Sequence, residues 1–345
     1  MEKIIGEGEI ETFRRRCAHL IDARSPKEFA EDHMPGARNI PVLDDAQREE
    51  IGTLHKSNPL AARKQGALYA LDAAKNLVGS ELVRQASRDT GFMIYCARGG
   101  QRSGALSVVL SQIGFPVFRL ERGYKTYRAY IQMALARALP EPVFVLYGYT
   151  GSMKTLVLHA LAASCNILDL EGCARHRGSI LGDLPGIAQP GQRAFETATA
   201  AQIMSFDPAK PTLIEGESRN IGSCQIPEGL WRQMAAAKHL WLEIPREARV
   251  AHILQEYHEL KDPQYLEDRL QRLARYLSRK LIQGLREDIS CGNWPAFVEK
   301  LLEFHYDPLY GKALRHGGKY PVEAKGFEEA VAAVGRAVTS KSPAI

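Results

Sequence analysis

The sequence predicts an α/β protein built from two parallel-sheet units, with a helical extension at the C-terminal end. Three observations carry that prediction. Short apolar runs at His19–Asp22, Phe92–Tyr95 and Val117–Leu120 alternate with helix-like stretches across residues 1–138. A second alternation starts at the apolar run Val143–Tyr147, just after Leu139-Pro140-Glu141-Pro142 punctuates the chain. From Asp262 to Arg286, leucines at 266, 270, 273, 277 and 281 form one stripe at helical spacing. The expected units are therefore residues 1–138, 139–260 and 261–345, the last packed on the second.

Bulk properties narrow the function classes. At 45% hydrophobic and 25% charged residues, this is ordinary soluble globular material. A net charge of +5 permits a polyanionic partner without requiring one. The six cysteines, at 17, 96, 165, 173, 224 and 291, include no Cys-x-x-Cys pair, which argues against a disulfide framework or zinc site. Met1–Arg16 has no apolar core or cleavage pattern, and no apolar run approaches the roughly 18 residues that span a bilayer. A cytoplasmic protein with no membrane partner is expected. Nothing in the sequence demands a dimer, so a monomer is expected.

In the first unit, Ser25 can cap a helix with Pro26 at its first position and Glu28 in its first turn. His33-Met34-Pro35-Gly36-Ala37 reads as a turn into a short strand. Asp44–Glu50 is helical in character, and Ile51–Lys56 is expected to break it. A helix from Ala70 to Arg88 should follow, with Gly114 later stopping the helix that ends at Ile113. The Phe92–Tyr95 strand delivers Cys96 into Ala97-Arg98-Gly99-Gly100-Gln101-Arg102-Ser103. Two glycines let successive N–H groups turn inward at a helix start, an arrangement that favours anions and thiolates. Cys96 is the expected nucleophile, with Arg98, Gly99, Gly100 and Arg102 binding an anionic donor.

The blocks LIDARSPKEFAEDHMPGARNIP and YCARGGQRSGAL resemble the rhodanese family, over about residues 5–135. The resemblance implies a parallel sheet with the active cysteine between a strand and a helix. Asp22, Arg24 and His33 are expected to be structural, since buried charges in such turns pair. The likeness fades from Val42 to Ala74, an insertion that is either a cover over Cys96 or surface padding. Cys96 and Arg102 have five residues between them, one more than usual in short sulfurtransferase loops. That length also suits the phosphoryl cradle of cysteine phosphatases, so a donor with a phosphoryl group is expected.

In the second unit, Gly148-Tyr149-Thr150-Gly151-Ser152-Met153-Lys154-Thr155 lies between a strand and an apolar helix, the context of a phosphate-binding loop. Gly148, Thr150, Gly151, Ser152, Lys154 and Thr155 are its expected phosphate contacts, with Met153 where glycine is usual. Thr155 and Glu215, the latter at the end of Thr212–Glu215, are the expected Mg²⁺ residues; Glu217 is a weaker candidate. Arg175, His176 and Arg177, with Ser179 and Arg219, are the candidate contacts to an anion or an RNA phosphate. Arg175 pairing structurally with Glu171 is the alternative. On the last helical stretch, Arg272, Arg275, Arg279 and Arg286 fall opposite the leucine stripe; they form either an RNA-tracking stripe or a solvated face.

The blocks DLEGCARHRGS and IEGESRNIG, together with HYDPLY, resemble the tRNA 2-selenouridine synthase family over nearly the whole chain. Met153 and Ile180-Leu181 depart from its pattern. The resemblance implies a transferase that acts on the wobble uridine of tRNA. Geranyl diphosphate first alkylates the sulfur of 2-thiouridine, and selenium from selenophosphate then replaces the geranylthio group. Cys96 would carry the selenium as a selenenylsulfide. No tightly bound cofactor is implied, and Mg²⁺ is optional. Two other readings stay open: a sulfurtransferase or cysteine phosphatase fused to a nucleotide-driven phosphate-loop domain, and a nucleotide-sensing adaptor that binds RNA through its arginine-rich helix.

Overall fold

The computed structural model describes residues 2–178, 182, 184, 186–256, 263–309 and 319–339. The chain divides into two compact units, Met1–Ala134 and Leu135–Ile345.

The first unit is a five-stranded parallel sheet. Its strands are β1 (Glu2–Ile5), β2 (His19–Asp22), β3 (Ala37–Asn39), β4 (Phe92–Tyr95) and β5 (Val117–Leu120). The spatial order is β1-β5-β4-β2-β3, so β4, which delivers Cys96, sits at the centre. All four β4 residues are buried, as expected for a parallel strand covered on both faces. Ser25, Pro26 and Glu28 open the helix Pro26–Glu31 as the sequence implies, the Ser25 N–H donating to Glu28 Oε2 at 3.1 Å. Gly114, at φ 108°, ends the helix Gln101–Ile113.

The insertion differs from its sequence reading. One helix runs from Asp45 to Ser57 without a break at Ile51, capped by Asp44, whose side chain accepts from Gln47 N–H. A second starts at Pro59, capped by Asn58, and runs to Gly79; a short turn, Glu81–Arg84, replaces the rest of the helix read to Arg88. Ser80 is extended and ends it. The first strand, β1, escaped the sequence reading because only Ile5 in it is buried.

The second unit has strands β6 (Val143–Gly148), β7 (Asn166–Leu168), β8 (Thr212–Glu215), β9 (Asn220–Ile221), β10 (Cys224–Gln225), β11 (Lys238–Glu243) and β12 (Lys319–Glu323). Five make a parallel sheet in the order β12-β11-β6-β8-β7, and β9 and β10 form a separate antiparallel pair. The central strand β6 leads into the phosphate loop, and β8 beside it ends at Glu215. The chain is thus an N-terminal parallel-sheet α/β unit and a C-terminal parallel-sheet α/β unit with a helical extension. Among the described residues, no helix is long and apolar enough to cross a membrane.

The leucine stripe is real but lies on two helices, Pro263–Leu273 and Arg279–Ser290. Leu266, Leu270 and Leu273 are buried, while Leu277 and Leu281 pack at the edge of the same cluster. Ser278 causes the interruption: extended at φ −66°, ψ 151°, it accepts from Leu281 N–H and caps the second helix. Arg269 on the first of these helices is buried, and Arg286 pairs with Glu267 across the two helices. Ser278→Ala should cost about 1 kcal/mol in urea unfolding, the value of a lost cap. A continuous helix would instead be unchanged or stabilised by alanine.

Candidate functional site

Cys96 is buried where β4 ends. The loop returns to a helix at Gln101, with Gly100 as its N-cap. Ser103, one residue after Arg102, is fully buried and donates its hydroxyl to Cys96 Sγ at 3.2 Å. The loop is locked from beneath by crowded backbone. Tyr124 N–H donates to the Cys96 carbonyl at 2.7 Å. A Cβ on Gly123, at φ 58°, would lie 2.0 Å from that carbonyl, and one on Gly99, at φ 67°, would lie 2.1 Å from the Glu121 carbonyl. Only glycine satisfies both the left-handed turn and the approach.

Arg98 is exposed beside Cys96, and Arg102 is half-buried. Arg102 ion-pairs with Glu28 at 2.8 Å, and Arg48 of the insertion reaches the same carboxylate at 3.1 Å. Burial pushes the Glu28 carboxyl up, but the hydrogen bond and charge of Arg102 outweigh it and hold it below its ordinary value. An incoming anion at Arg102 therefore shares that guanidinium with Glu28. Ser103, Glu28 and Arg48 were missed in the sequence reading. The Cys–five–Arg–Ser spacing could have exposed Ser103; nothing local marks Glu28, which reaches Arg102 across 74 residues of chain. Asp22 and Arg24 form a buried ion pair at 2.6 Å, and His33 bonds to the Phe29 carbonyl and stacks on its ring. All three are structural, as expected.

The insertion does line the space around Cys96. A cleft of about 1080 Å³ is bounded by the Cys96 loop, the helix Gln101–Ile113 and both insertion helices.

In the second unit, Gly148 ends β6, the loop follows, and the helix Lys154–Ala160 starts from it. Met153 takes φ 61°, ψ 22°, the left-handed geometry usually left to glycine, at a cost of about 1–2 kcal/mol. The loop thus keeps its turn while carrying a thioether. Lys154 Nζ donates to the Gly148 carbonyl at 3.3 Å. A cavity of about 620 Å³ is lined by the loop from Thr150 to Thr155, by Asp169 and Glu171, and by Arg175, His176 and Arg177. Met153, Leu156, Leu184 and Ile187 add apolar surface to it. Arg219 pairs with Glu228 and is not among the lining residues. Ser179 and Ile180-Leu181 lie outside the described residues.

Behind the loop stands a carboxylate cluster. Thr155 donates its hydroxyl to Glu215, whose other oxygen accepts the Glu171 N–H at 3.1 Å. Glu171 and Glu217 share a hydrogen bond, and a Cβ on Gly178 would meet both carboxylates within 2.6 Å. Burial, then the charges of Asp169 and Glu217, push Glu215 up to about 8. Burial and the neighbouring glutamates raise Glu171, and burial raises Glu217. Glu217, the weaker candidate from sequence, belongs to this cluster as fully as Glu215. Lys154 sets its positive charge beside this buried acidic group, and the Thr155 hydroxyl is held by Glu215 at the start of the helix after the loop.

Arg249 and Asp307 were not singled out as site residues. Arg249 is 3% exposed, makes two 2.9 Å bonds to Asp307, and donates to the Thr150 carbonyl at 3.2 Å. Asp307, in the helical stretch that follows Leu302–Tyr306, is thereby tied to the phosphate loop through one guanidinium. Gly151 packs on the same helix: a Cβ there would lie 2.7 Å from Ile253 Cδ1.

Residues 8–130 match the family model of the rhodanese-like domain, and residues 141–287 match that of the tRNA 2-selenouridine synthase AAA domain. A tRNA 2-selenouridine synthase of Cupriavidus necator is 33% identical over 84% of this chain and 87% of its own. One of Pseudomonas entomophila is 31% identical over 84% of this chain and 86% of its own. One of Nitrosomonas europaea is 27% identical over 90% and 93%.

Two predictions follow from the second unit. Asp307→Ala leaves a buried guanidinium without its carboxylate and should lower stability by about 3 kcal/mol, read from the urea midpoint. A loss under about 1 kcal/mol would mean the pair carries little. Glu215 ionises near 4.3 when unfolded and near 8 when folded. Its contribution to stability is therefore complete below about pH 4 and falls as pH rises toward about 8. In EDTA, the melting temperature of the protein should drop between pH 5 and 8 more steeply than that of Glu215→Gln; equal slopes would exclude a proton held there.

Proposed function

The chain belongs to the tRNA 2-selenouridine synthase family, and from that premise we propose that it converts 2-thiouridine at the tRNA wobble position to 2-selenouridine through an S-geranyl intermediate. Geranyl diphosphate is the alkyl donor and selenophosphate the selenium donor. The observation that carries this reading is the composition of the phosphate-loop cavity, which combines Lys154, Arg175 and Arg177 with Met153, Leu156, Leu184 and Ile187. A diphosphate on an isoprenoid chain needs both halves of that lining.

In the first stage, the thiocarbonyl sulfur attacks the allylic carbon of the donor, the carbon–oxygen bond breaks and diphosphate departs. The base loses its N3 proton. Backbone N–H groups of the loop and Lys154 take up charge that grows on the leaving oxygens. Mg²⁺, where bound at Thr155, would add charge neutralisation for the diphosphate. Arg175, His176, Arg177 and Arg219 are proposed contacts for tRNA or diphosphate, Ser179 with them.

Alkylation matters because an alkylthio group departs as a thiolate, whereas the thiocarbonyl has no comparable exit. In the second stage, the selenium of selenophosphate bonds to C2 while the C2–S bond breaks and geranylthiolate leaves with the electron pair; water then takes the phosphoryl group as the Se–P bond breaks, releasing phosphate and leaving selenium on C2. The exchange is redox-neutral. Cys96 meets the selenium donor, with Arg98, Arg102 and the N–H groups of Gly99 and Gly100 holding its phosphoryl oxygens and Ser103 hydrogen-bonded to the sulfur. A selenenylsulfide on Cys96 would lie two electrons above the selenium of selenophosphate and would need an oxidant to form, so the balanced route keeps selenium at the selenide level beside the Cys96 thiol.

Nucleoside mass spectrometry on tRNA incubated with the enzyme, geranyl diphosphate, selenophosphate and a thiol tests the scheme. Cys96→Ala should accumulate S-geranyl-2-thiouridine and form no 2-selenouridine. Lys154→Ala should slow geranylation by about 10²-fold. Undiminished geranylation in Lys154→Ala, or selenation by Cys96→Ala, would contradict the division of labour.

A further inference from the structure

The cleft beside Cys96 is larger than a selenophosphate anion requires. At about 1080 Å³ it stands at the upper end of the roughly 300–1,000 Å³ typical of small-molecule sites. Its walls are mainly apolar: Val42, Leu43, Ile51, Ala70, Leu71 and Val108 face it. Leu71 and Val108 are 66% and 52% exposed, which is costly surface for water to cover.

Three glycines explain why the cleft is open. Gly52, Gly66 and Gly104 each lie inside a different helix, and all three border the cleft. A glycine in a helix interior destabilises it by roughly 1 kcal/mol relative to alanine. No close approach demands them, since a Cβ on any of the three would meet nothing within 4 Å. None has a positive φ. What the missing side chains leave is space, in an insertion that the sequence offered as either cover or padding.

The rim has the opposite character. Arg48, His55, Arg63 and Arg98 border the same cleft, and Arg48 is 51% exposed. An apolar floor with a cationic rim beside a thiol is complementary to one kind of ligand, an anionic polymer carrying an apolar chain. On the two-stage reading above, the second stage presents such a ligand to Cys96.

We propose that this cleft binds the S-alkyl chain of the prenylated uridine during selenium insertion, while the arginine rim takes the adjoining RNA phosphates. The inference rests on the two-stage reading and extends it: the selenium-inserting unit recognises the leaving group itself. As the selenium of selenophosphate bonds to C2, the C2–S bond breaks and the electron pair goes to the departing thiolate; water hydrolyses the Se–P bond, phosphate leaves, and the proton released goes to the thiolate. The chain stays in the cleft until the thiol dissociates. This gives a reason for selenation to ignore unalkylated 2-thiouridine, because binding and leaving-group quality then depend on the same alkyl group.

The experiment uses full-length enzyme, selenophosphate and a thiol, with synthetic anticodon hairpins carrying S-geranyl- or S-methyl-2-thiouridine. The two thiolates are comparable leaving groups, so the ratio of their kcat/KM values reports chain binding. The native enzyme should favour the geranyl hairpin by at least 10-fold. Gly66→Leu fills the cleft with a better helix former and should bring the ratio near one while the methyl hairpin still reacts. Equal rates on both hairpins in the native enzyme would overturn the proposal without touching the two-stage scheme. A preference that survives in both Gly66→Leu and Gly52→Leu would place the chain elsewhere and also overturn it. Reaction of neither hairpin would sink the two-stage scheme and this proposal with it.

Discussion

A single buried guanidinium fixes the geometry of the phosphate loop. Arg249 is held by both oxygens of Asp307 and passes that rigidity to the Thr150 carbonyl. A charge this deep is tolerated only because a carboxylate and a carbonyl replace its water. Its consequence is reach: the helical stretch at Asp307, the helix Arg246–Glu256 and the loop after β6 form one framework. Gly151 packing against Ile253 closes the same contact from the loop side.

Both reactive loops obey one rule of open parallel sheets: ligands meet the protein where strands end and helices begin. Electrostatics separates them. Cys96 lies among arginines, one of them shared with Glu28. Lys154 instead faces Glu171, Glu215 and Glu217, which burial and mutual repulsion hold toward their protonated forms. The first site is ready for an anion as it stands. The second balances its acid cluster against the charge of Lys154.

The two sites share an apolar component that neither loop chemistry requires. In the second unit it comes from Met153, Leu156, Leu184 and Ile187. In the first it comes from the insertion, whose helices carry glycine and alanine where space is kept. A chemistry that moves only selenium and phosphate would need neither wall. On the proposed two-stage reaction, a hydrocarbon group attached in one stage and expelled in the next would give both a purpose.

The sequence alone determined the order of strands and helices around both loops, because apolar runs, prolines and caps act over a few residues. Cys96, Arg102, Lys154 and Thr155 were legible for the same reason, since each chemistry is written in one short stretch. Ser278 shows the limit of that reading: a helical period cannot reveal where one helix ends if the next continues its stripe. Tertiary structure decided what spans distance: Glu28 on Arg102, Asp307 on Arg249, Thr155 on Glu215, and the small-residue helices around Cys96. Those pairings depend on which surfaces the fold brings within a few ångströms, and no local pattern encodes that proximity.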